Sequence, residues 1–192
     1  LPKLRLLVAT GMRNSAIDMV AARDHGVVVS GTASSMTPPT ELTWALILGL
    51  SRNLVVEDAN VREGGWQTTV GSDLHGRTLG IIGLGRIGTA VAKVGLAFGM
   101  EVIAWSSHLT EEQCERTGVR YAGTLDNLLA TSDVVTVHLK LGPRSAGLIG
   151  DRELALMKSS ALLVNTSRSG IIQKQPLLDT LNSGKIGGAG LD

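Results

Sequence analysis

The chain has 192 residues, 43% of them hydrophobic and 18% charged, with a formal net charge of +1. A chain of that length can bury one good core, or one core and a small annex, and its near-neutral balance makes no electrostatic case for nucleic acid or an anionic membrane. The longest apolar stretch, around residues 42–50, is about nine residues and too short to span a bilayer. No export signal opens the chain, and a single cysteine, Cys114, excludes an intramolecular disulfide, so a cytoplasmic protein is expected.

In chain order, residues 4–10 (LRLLVAT) read as a buried strand, 16–25 as a helix followed by Gly26, and 27–30 as a second strand. This single β-α-β unit is too small to bury its own faces. A turn-rich stretch, 31–39, follows. Thr40 then reads as the cap of one long amphipathic helix reaching Asn60, with Glu41 in its first turn. From Gly76 onward strands and helices alternate. Strands are expected at 78–82, 101–105, 134–139, 161–165 and 187–191, with a short one at Arg120 and Tyr121. Unbroken runs such as Val134-Val135-Thr136-Val137 suit a parallel sheet covered on both faces. A helix over 110–117 should carry Cys114 at the surface, and Trp44 and Trp66 read as packing anchors. His25, His75 and His108 have turn or loop contexts that suit solvated side chains.

The most informative motif is Gly83-Leu84-Gly85-Arg86-Ile87-Gly88, which follows an apolar strand and opens a helix expected over 89–99. G-x-G-x-x-G in that setting is a dinucleotide site. Gly83 permits the tight turn, Gly85 lets backbone approach a pyrophosphate, and Gly88 lets helix and strand pack closely. An acidic residue about 20 positions later would hold the ribose 2′-hydroxyl of NAD. Here the second strand ends in Ser106-Ser107-His108, and Glu101 stands at its opposite end. Serine can bond a 2′-hydroxyl or a 2′-phosphate, so NAD and NADP both stay open. Arg86 is a cation available to either phosphate.

Three further runs, Thr131 to Leu139 (TSDVVTVHL), Val164-Asn165-Thr166-Ser167-Arg168 and Gly190-Leu191-Asp192, join the glycine motif in order. Together they resemble the D-isomer-specific 2-hydroxyacid dehydrogenases, the family of phosphoglycerate dehydrogenase and glyoxylate/hydroxypyruvate reductases. Residues 10–18 (TGMRNSAID) are similar to the last β-α turn of that family's substrate domain. The resemblance implies an α/β fold: a doubly wound, Rossmann-like parallel sheet with a fragment of a second, flavodoxin-like substrate domain. Its parts would be a substrate-domain fragment over 1–37, an interdomain and dimerisation helix and loop over 38–75, and the dinucleotide domain over 76–192.

The resemblance also implies roles. Arg168 would bind the carboxylate and 2-oxo group of a small 2-hydroxy or 2-oxo acid, a bidentate task suited to guanidinium. Thr166 and Ser167 would offer backbone contacts to the cofactor, Asp192 would bond the nicotinamide carboxamide, and His138 would lie beside the cofactor without acting as acid or base. No metal is implied. The long helix would bury its apolar stripe against a second subunit in a homodimer. The family's acid/base histidine and its glutamate partner would follow Asp192, and several β-α units would precede Leu1, so the chain reads as a central piece. By that resemblance the protein is an NAD(P)-dependent oxidoreductase that interconverts a D-2-hydroxy acid and its 2-oxo acid by hydride transfer, with this chain alone expected to bind cofactor without turnover. The alternative is an inert NAD(P)-binding fragment or a cofactor-sensing module. Ser169, Gln173, Lys174, Lys140 and Gly142 depart from the family pattern. The first is expected to alter the turn that aims Arg168, and Lys140 and Gly142 to tune cofactor contacts.

Overall fold

The computed structural model describes residues 2–12, 14 and 16–192. It divides into two compact units, Leu1–Thr37 and Pro38–Asp192. The first holds strand β1 (Leu6–Ala9), helix α1 (Met19–Asp24) and strand β2 (Val28–Gly31), the strands pairing parallel from Leu6–Val28 to Ala9–Gly31. Helix α1 starts later than expected because Asp18 caps it, its carboxylate accepting from the Val20 and Ala21 N–H groups at 3.0 and 2.9 Å. The expected burial of the first strand does not hold within this unit. Leu6, Val8 and Val28 are 54%, 57% and 63% exposed, since one helix cannot cover both faces of a two-stranded sheet. Of the 10–18 turn motif, Arg13 and Ser15 lie outside the described residues.

The single helix expected from Thr40 to Asn60 is two helices, α2 (Thr37–Ser51) and α3 (Leu54–Arg62). Pro38 and Pro39 occupy the first turn of α2, where their missing N–H groups cost no helical bond. Thr40 is therefore inside the helix and does not cap it. The break falls at Asn53, whose φ of 53° is left-handed and cannot continue a right-handed helix. Helix α2 buries Thr43, Trp44, Ile47 and Ser51, one face at helical spacing, whereas α3 buries none of its residues. The apolar stripe of α2 is consequently spent in the chain's own core. Trp44 is an anchor there, 6% exposed and tilted against Phe98 at 5.1 Å, but Trp66 is 85% exposed and anchors nothing in this chain.

The second unit is a six-stranded parallel sheet. Strand β3 (Thr78–Ile82) leads through α4 (Arg86–Ala97) to β4 (Glu101–Trp105), α5 (Glu111–Glu115) and β5 (Arg120–Tyr121). Helix α6 (Leu125–Thr131) precedes β6 (Val134–Val137), α7 (Asp151–Leu156) precedes β7 (Leu162–Asn165), and α8 (Lys174–Asn182) precedes β8 (Gly188–Leu191). The strand order is β5-β4-β3-β6-β7-β8, doubly wound outward from β3 and β6. Alternation along the strands divides the core in two. Leu79, Ile81, Val134 and Val164 pack with Trp44, Ile47, Val91 and Cys114 under α2, α4 and α5. Ile82, Val135, Val137 and Leu163 pack with Leu128, Leu154 and Leu177 under α6, α7 and α8. Both faces are covered, so the strands read as continuous apolar runs.

Cys114 is fully buried, not at the surface. A capping box of Thr110 with Gln113 sets α5 so that Cys114 turns inward, and burial, aided by Glu111, pushes its thiol pKa up. Among the described residues no helix is long and apolar enough to cross a membrane.

Asp133 ties the other end of the sheet together. It accepts from the Thr78 N–H at 2.9 Å and from the Lys158 ammonium at 2.9 Å, with Arg77 3.8 Å away. Burial raises its pKa, but these partners outweigh burial and hold the carboxyl below its ordinary value. A carboxylate with a depressed folded pKa stabilises above its unfolded pKa and loses that contribution as pH falls through the folded one. Asp133→Asn should therefore cost about 1–2 kcal/mol at neutral pH, a gap that closes progressively below about pH 4. Denaturant unfolding of both proteins across that range checks it, and a gap independent of pH would contradict it.

Candidate functional site at the carboxyl edge of the sheet

Strand β3 is followed by Gly83, whose φ of 103° is left-handed. A Cβ there would stand 2.8 Å from the carbonyl oxygen of His138. A Cβ on Gly88 would stand 2.2 Å from the carbonyl oxygen of Gly83, so α4 lies against the turn that precedes it. These two glycines are demanded by packing. Gly85 is different: a Cβ on it would meet nothing within 4 Å, and it sits at the N-cap of α4 with no side-chain cap. The first-turn N–H groups of α4, at the positive end of its dipole, thus open beside a bare backbone. Arg86 is exposed at the helix start. Ile87 packs its side chain into the core, which leaves only its backbone for a ligand.

Because all six strands run parallel, every strand ends on the same edge, and the candidate residues follow the spatial order of the strands. Ser106 follows β4, Gly83 β3, His138 β6, Thr166 to Arg168 β7, and Asp192 β8. The edge from β4 to β8 spans about 19 Å at normal strand spacing. A cleft of about 420 Å³ opens there, lined by Gly83, Gly85, Ser106, His108, His138 and Lys140 among others. A second hollow of about 280 Å³, lined by Ser107, Lys140, Gly142, Arg144 and Ser145 among others, shares Leu139 and Lys140 with it. The glycine turn, both serines and His138 are brought together in this way. Thr166, Ser167, Arg168 and Asp192 lie farther along the edge and line neither hollow.

His138 is pinned by its N–H to the Ile82 carbonyl at 2.8 Å, while its Nε2 is buried without a hydrogen-bond partner. Burial pushes its pKa down to about 4, so the ring is neutral at neutral pH.

The turn after β7 is organised by Asn165, which the sequence offered only as a strand end. Its Oδ1 accepts from the Ser167 N–H at 3.0 Å, and its Nδ2 donates to the Arg168 carbonyl at 3.0 Å. Ser167 Oγ donates to the Val137 carbonyl at 2.7 Å. Thr43 spends its hydroxyl proton on the Pro39 carbonyl, so Thr166 donates to Thr43 Oγ1 at 2.7 Å. The side chains of both residues are therefore structural, and the Ser167 N–H is already used. Arg168 is exposed, with Nη1 donating to the Ser167 carbonyl at 2.8 Å, and Ser169 opens a short 3-10 turn after it. Asp192 continues the ladder, its N–H donating to the Asn165 carbonyl at 3.1 Å, with its carboxylate exposed.

His108, expected to be solvated, is exposed and also lines the cleft, where it accepts from the Arg144 guanidinium. His25, also exposed, donates through Nδ1 to the Ala21 carbonyl at 2.8 Å. Sequence reasoning missed Arg144, and it noticed Lys140 only as a departure from pattern. The usable signal was that Lys140 stands three residues past β6, at the edge where open α/β sheets bind ligands. Arg144 lies six residues past the histidine in a Gly-Pro turn, where no periodicity marks it. Among the described residues no group of three or more His, Cys, Asp or Glu side chains could hold a metal.

Residues 44–192 match the D-isomer specific 2-hydroxyacid dehydrogenase, NAD binding domain. The whole chain is 39% identical to glyoxylate reductase of Aeropyrum pernix, of which it covers 60%. The crystal structure of phosphoglycerate oxidoreductase from Vibrio cholerae superposes with a TM-score of 0.94 at 33% identity, over all of this chain and 62% of that one. D-lactate dehydrogenase from Aquifex aeolicus, solved with NAD and lactic acid, gives a TM-score of 0.83 at 32% identity over all of this chain and 58% of its own. The chain thus spans about 60% of the length of these relatives. With its glycine turn, doubly wound sheet and ordered strand ends, it belongs to the D-isomer specific 2-hydroxyacid dehydrogenase family and carries that family's NAD-binding domain.

Proposed function

We propose that this chain is the coenzyme-binding part of an oxidoreductase that interconverts a D-2-hydroxy acid and its 2-oxo acid. The observation that carries this reading is the contrast within the glycine motif. Gly83 and Gly88 are forced by contacts inside the protein, whereas Gly85 faces open space beside the N-terminus of α4. That bare backbone fits the approach of a pyrophosphate.

The nicotinamide coenzyme, when bound, supplies or accepts the hydride. The first-turn N–H groups of α4, with Arg86 and the Ile87 backbone, would hold its pyrophosphate. Ser106 and Ser107 would meet the adenosine ribose, and His138 with the Thr166 and Ser167 backbone would flank the rest. Asp192 would orient the carboxamide, and Arg168 would grip the substrate carboxylate and polarise the 2-oxo group with its fork of donors. His138 would not deliver the substrate proton at neutral pH, because a group with a pKa of about 4 is almost wholly deprotonated there. Proton transfer is therefore assigned to residues outside this sequence.

We also propose that the enzyme pairs through α3 and the segment after it. Leu54, Val55, Val56, Val61, Trp66 and Val70 are 55–90% exposed, which is much apolar surface for one chain to leave in water. Sedimentation at micromolar concentration should give a dimer, and a monomer would refute this pairing.

Gly85→Ala should leave thermal stability within about 0.5 kcal/mol of the parent and weaken coenzyme binding at least about tenfold, roughly 1.4 kcal/mol. Gly88→Ala should instead lower stability by about 1–3 kcal/mol, because its methyl meets backbone. Unfolding and titration of both variants check the pair, and normal binding by Gly85→Ala would remove the main support for the site. The 192-residue polypeptide should bind coenzyme yet reduce neither glyoxylate nor hydroxypyruvate, as followed by NADH and NADPH absorbance. Turnover from it would overturn the assignment of proton transfer.

A further inference from the structure

We propose that the hollow beyond β4 receives a phosphoryl group on the adenosine ribose, so that this chain takes NADP(H) in preference to NAD(H). This rests on the dinucleotide reading above and deepens it. In a doubly wound sheet the adenosine ribose lies at the end of the strand after the glycine turn, which here is β4. A coenzyme with a free 2′-hydroxyl is held there by a carboxylate acceptor. No Asp or Glu is among the residues lining either hollow. Glu101 begins β4, about 13 Å from its end along the strand. Of the two carboxylates in the first turn of α5, Glu112 is engaged by Arg116 at 2.5 Å, and Glu111 lines neither hollow.

What stands at the end of β4 instead is a set of donors. Ser106 lines the main cleft and Ser107 the adjoining hollow, each offering a hydroxyl. Lys140 belongs to both hollows, and Arg144 lines the second and reaches His108 in the first. Among the described residues neither Lys140 nor Arg144 has a carboxylate within ion-pair distance, whereas Arg23, Arg52, Arg62, Arg116 and Arg152 all do. Ser145 holds the loop that carries the two cations, with Oγ donating to the Lys140 carbonyl at 2.6 Å and accepting from the Gly142 N–H at 3.0 Å. Two unneutralised cations and the Ser107 hydroxyl line the second hollow, with Ser106 in the adjoining cleft, and that set suits a dianion. A guanidinium bonds phosphate through paired donors, and no carboxylate repels the charge.

The test uses the 192-residue chain and two probes, adenosine 2′,5′-bisphosphate and 5′-AMP, titrated calorimetrically. The bisphosphate should bind at least about tenfold tighter, with a preference that shrinks as salt rises. Arg144→Ala and Lys140→Ala should each reduce the ratio of the two affinities at least about threefold, and Ser106→Asp should bring it below one by placing a like charge beside the phosphate. Equal affinities, tighter binding of 5′-AMP, or a ratio unchanged in both cation variants would overturn the proposal. If NADH and NADPH quench tryptophan fluorescence with the same affinity, only this inference fails. If neither coenzyme nor either probe binds, the dinucleotide reading fails with it.

Discussion

The carbonyl oxygen of Gly83 occupies the space where a side chain at position 88 would stand. That single close approach seats α4 directly on the end of β3. A helix held so tightly against its strand must begin at the carboxyl edge of the sheet, with its unbonded first-turn N–H groups facing outward. The approach is possible because residue 88 has no Cβ, and Gly83 takes a backbone angle that other residues avoid. The cleft, its polarity and its position at the topological switch of the sheet all follow from this packing.

The same edge is held by extensions of the strand ladder. Gly83 donates to the Trp105 carbonyl, His138 to that of Ile82, and Asp192 to that of Asn165. Each bond carries the register of a strand into the residue beyond it, so the ends of β3, β6 and β8 are as fixed as the sheet itself. Around them are side chains held more lightly. Arg168, Lys140 and Arg144 are exposed on loops, Arg168 bonded only to the adjacent Ser167 carbonyl and Arg144 to His108. A rigid backbone rim with exposed cations beyond it fits the anionic cofactor and the carboxylate substrate proposed above.

Burial supplies the stiffness behind that rim. Strands β3, β6 and β7 are covered on both faces, by α2, α4 and α5 on one side and by α6, α7 and α8 on the other. Helix α2 serves twice. Trp44 and Ile47 fill the first core, and Thr43 accepts from Thr166 and so braces the turn that leads to Arg168. Each fully buried aliphatic side chain in these clusters contributes about 1.5–3 kcal/mol, against the chain entropy lost on ordering it.

Local chemistry determined much of this protein. A strand, three glycines at fixed spacing and a helix specify the tight strand-to-helix turn seen at Gly83 to Gly88, and β-branched runs specify buried parallel strands. These signals are legible because each is a steric or periodic rule satisfied within a few residues. Tertiary structure decided what depends on neighbours distant in sequence. Cys114 is buried because α5 is rotated by its capping box onto the sheet, and the helix expected to reach Asn60 breaks at a left-handed Asn53. Thr166 became a brace because its partner, Thr43, lies on another segment 123 positions away in sequence. Arg144 joined His108 only when β4 and β6 ended on one edge. Sequence spacing cannot encode such meetings, since they arise from the strand order of the sheet, which sets which loop ends face the same hollow.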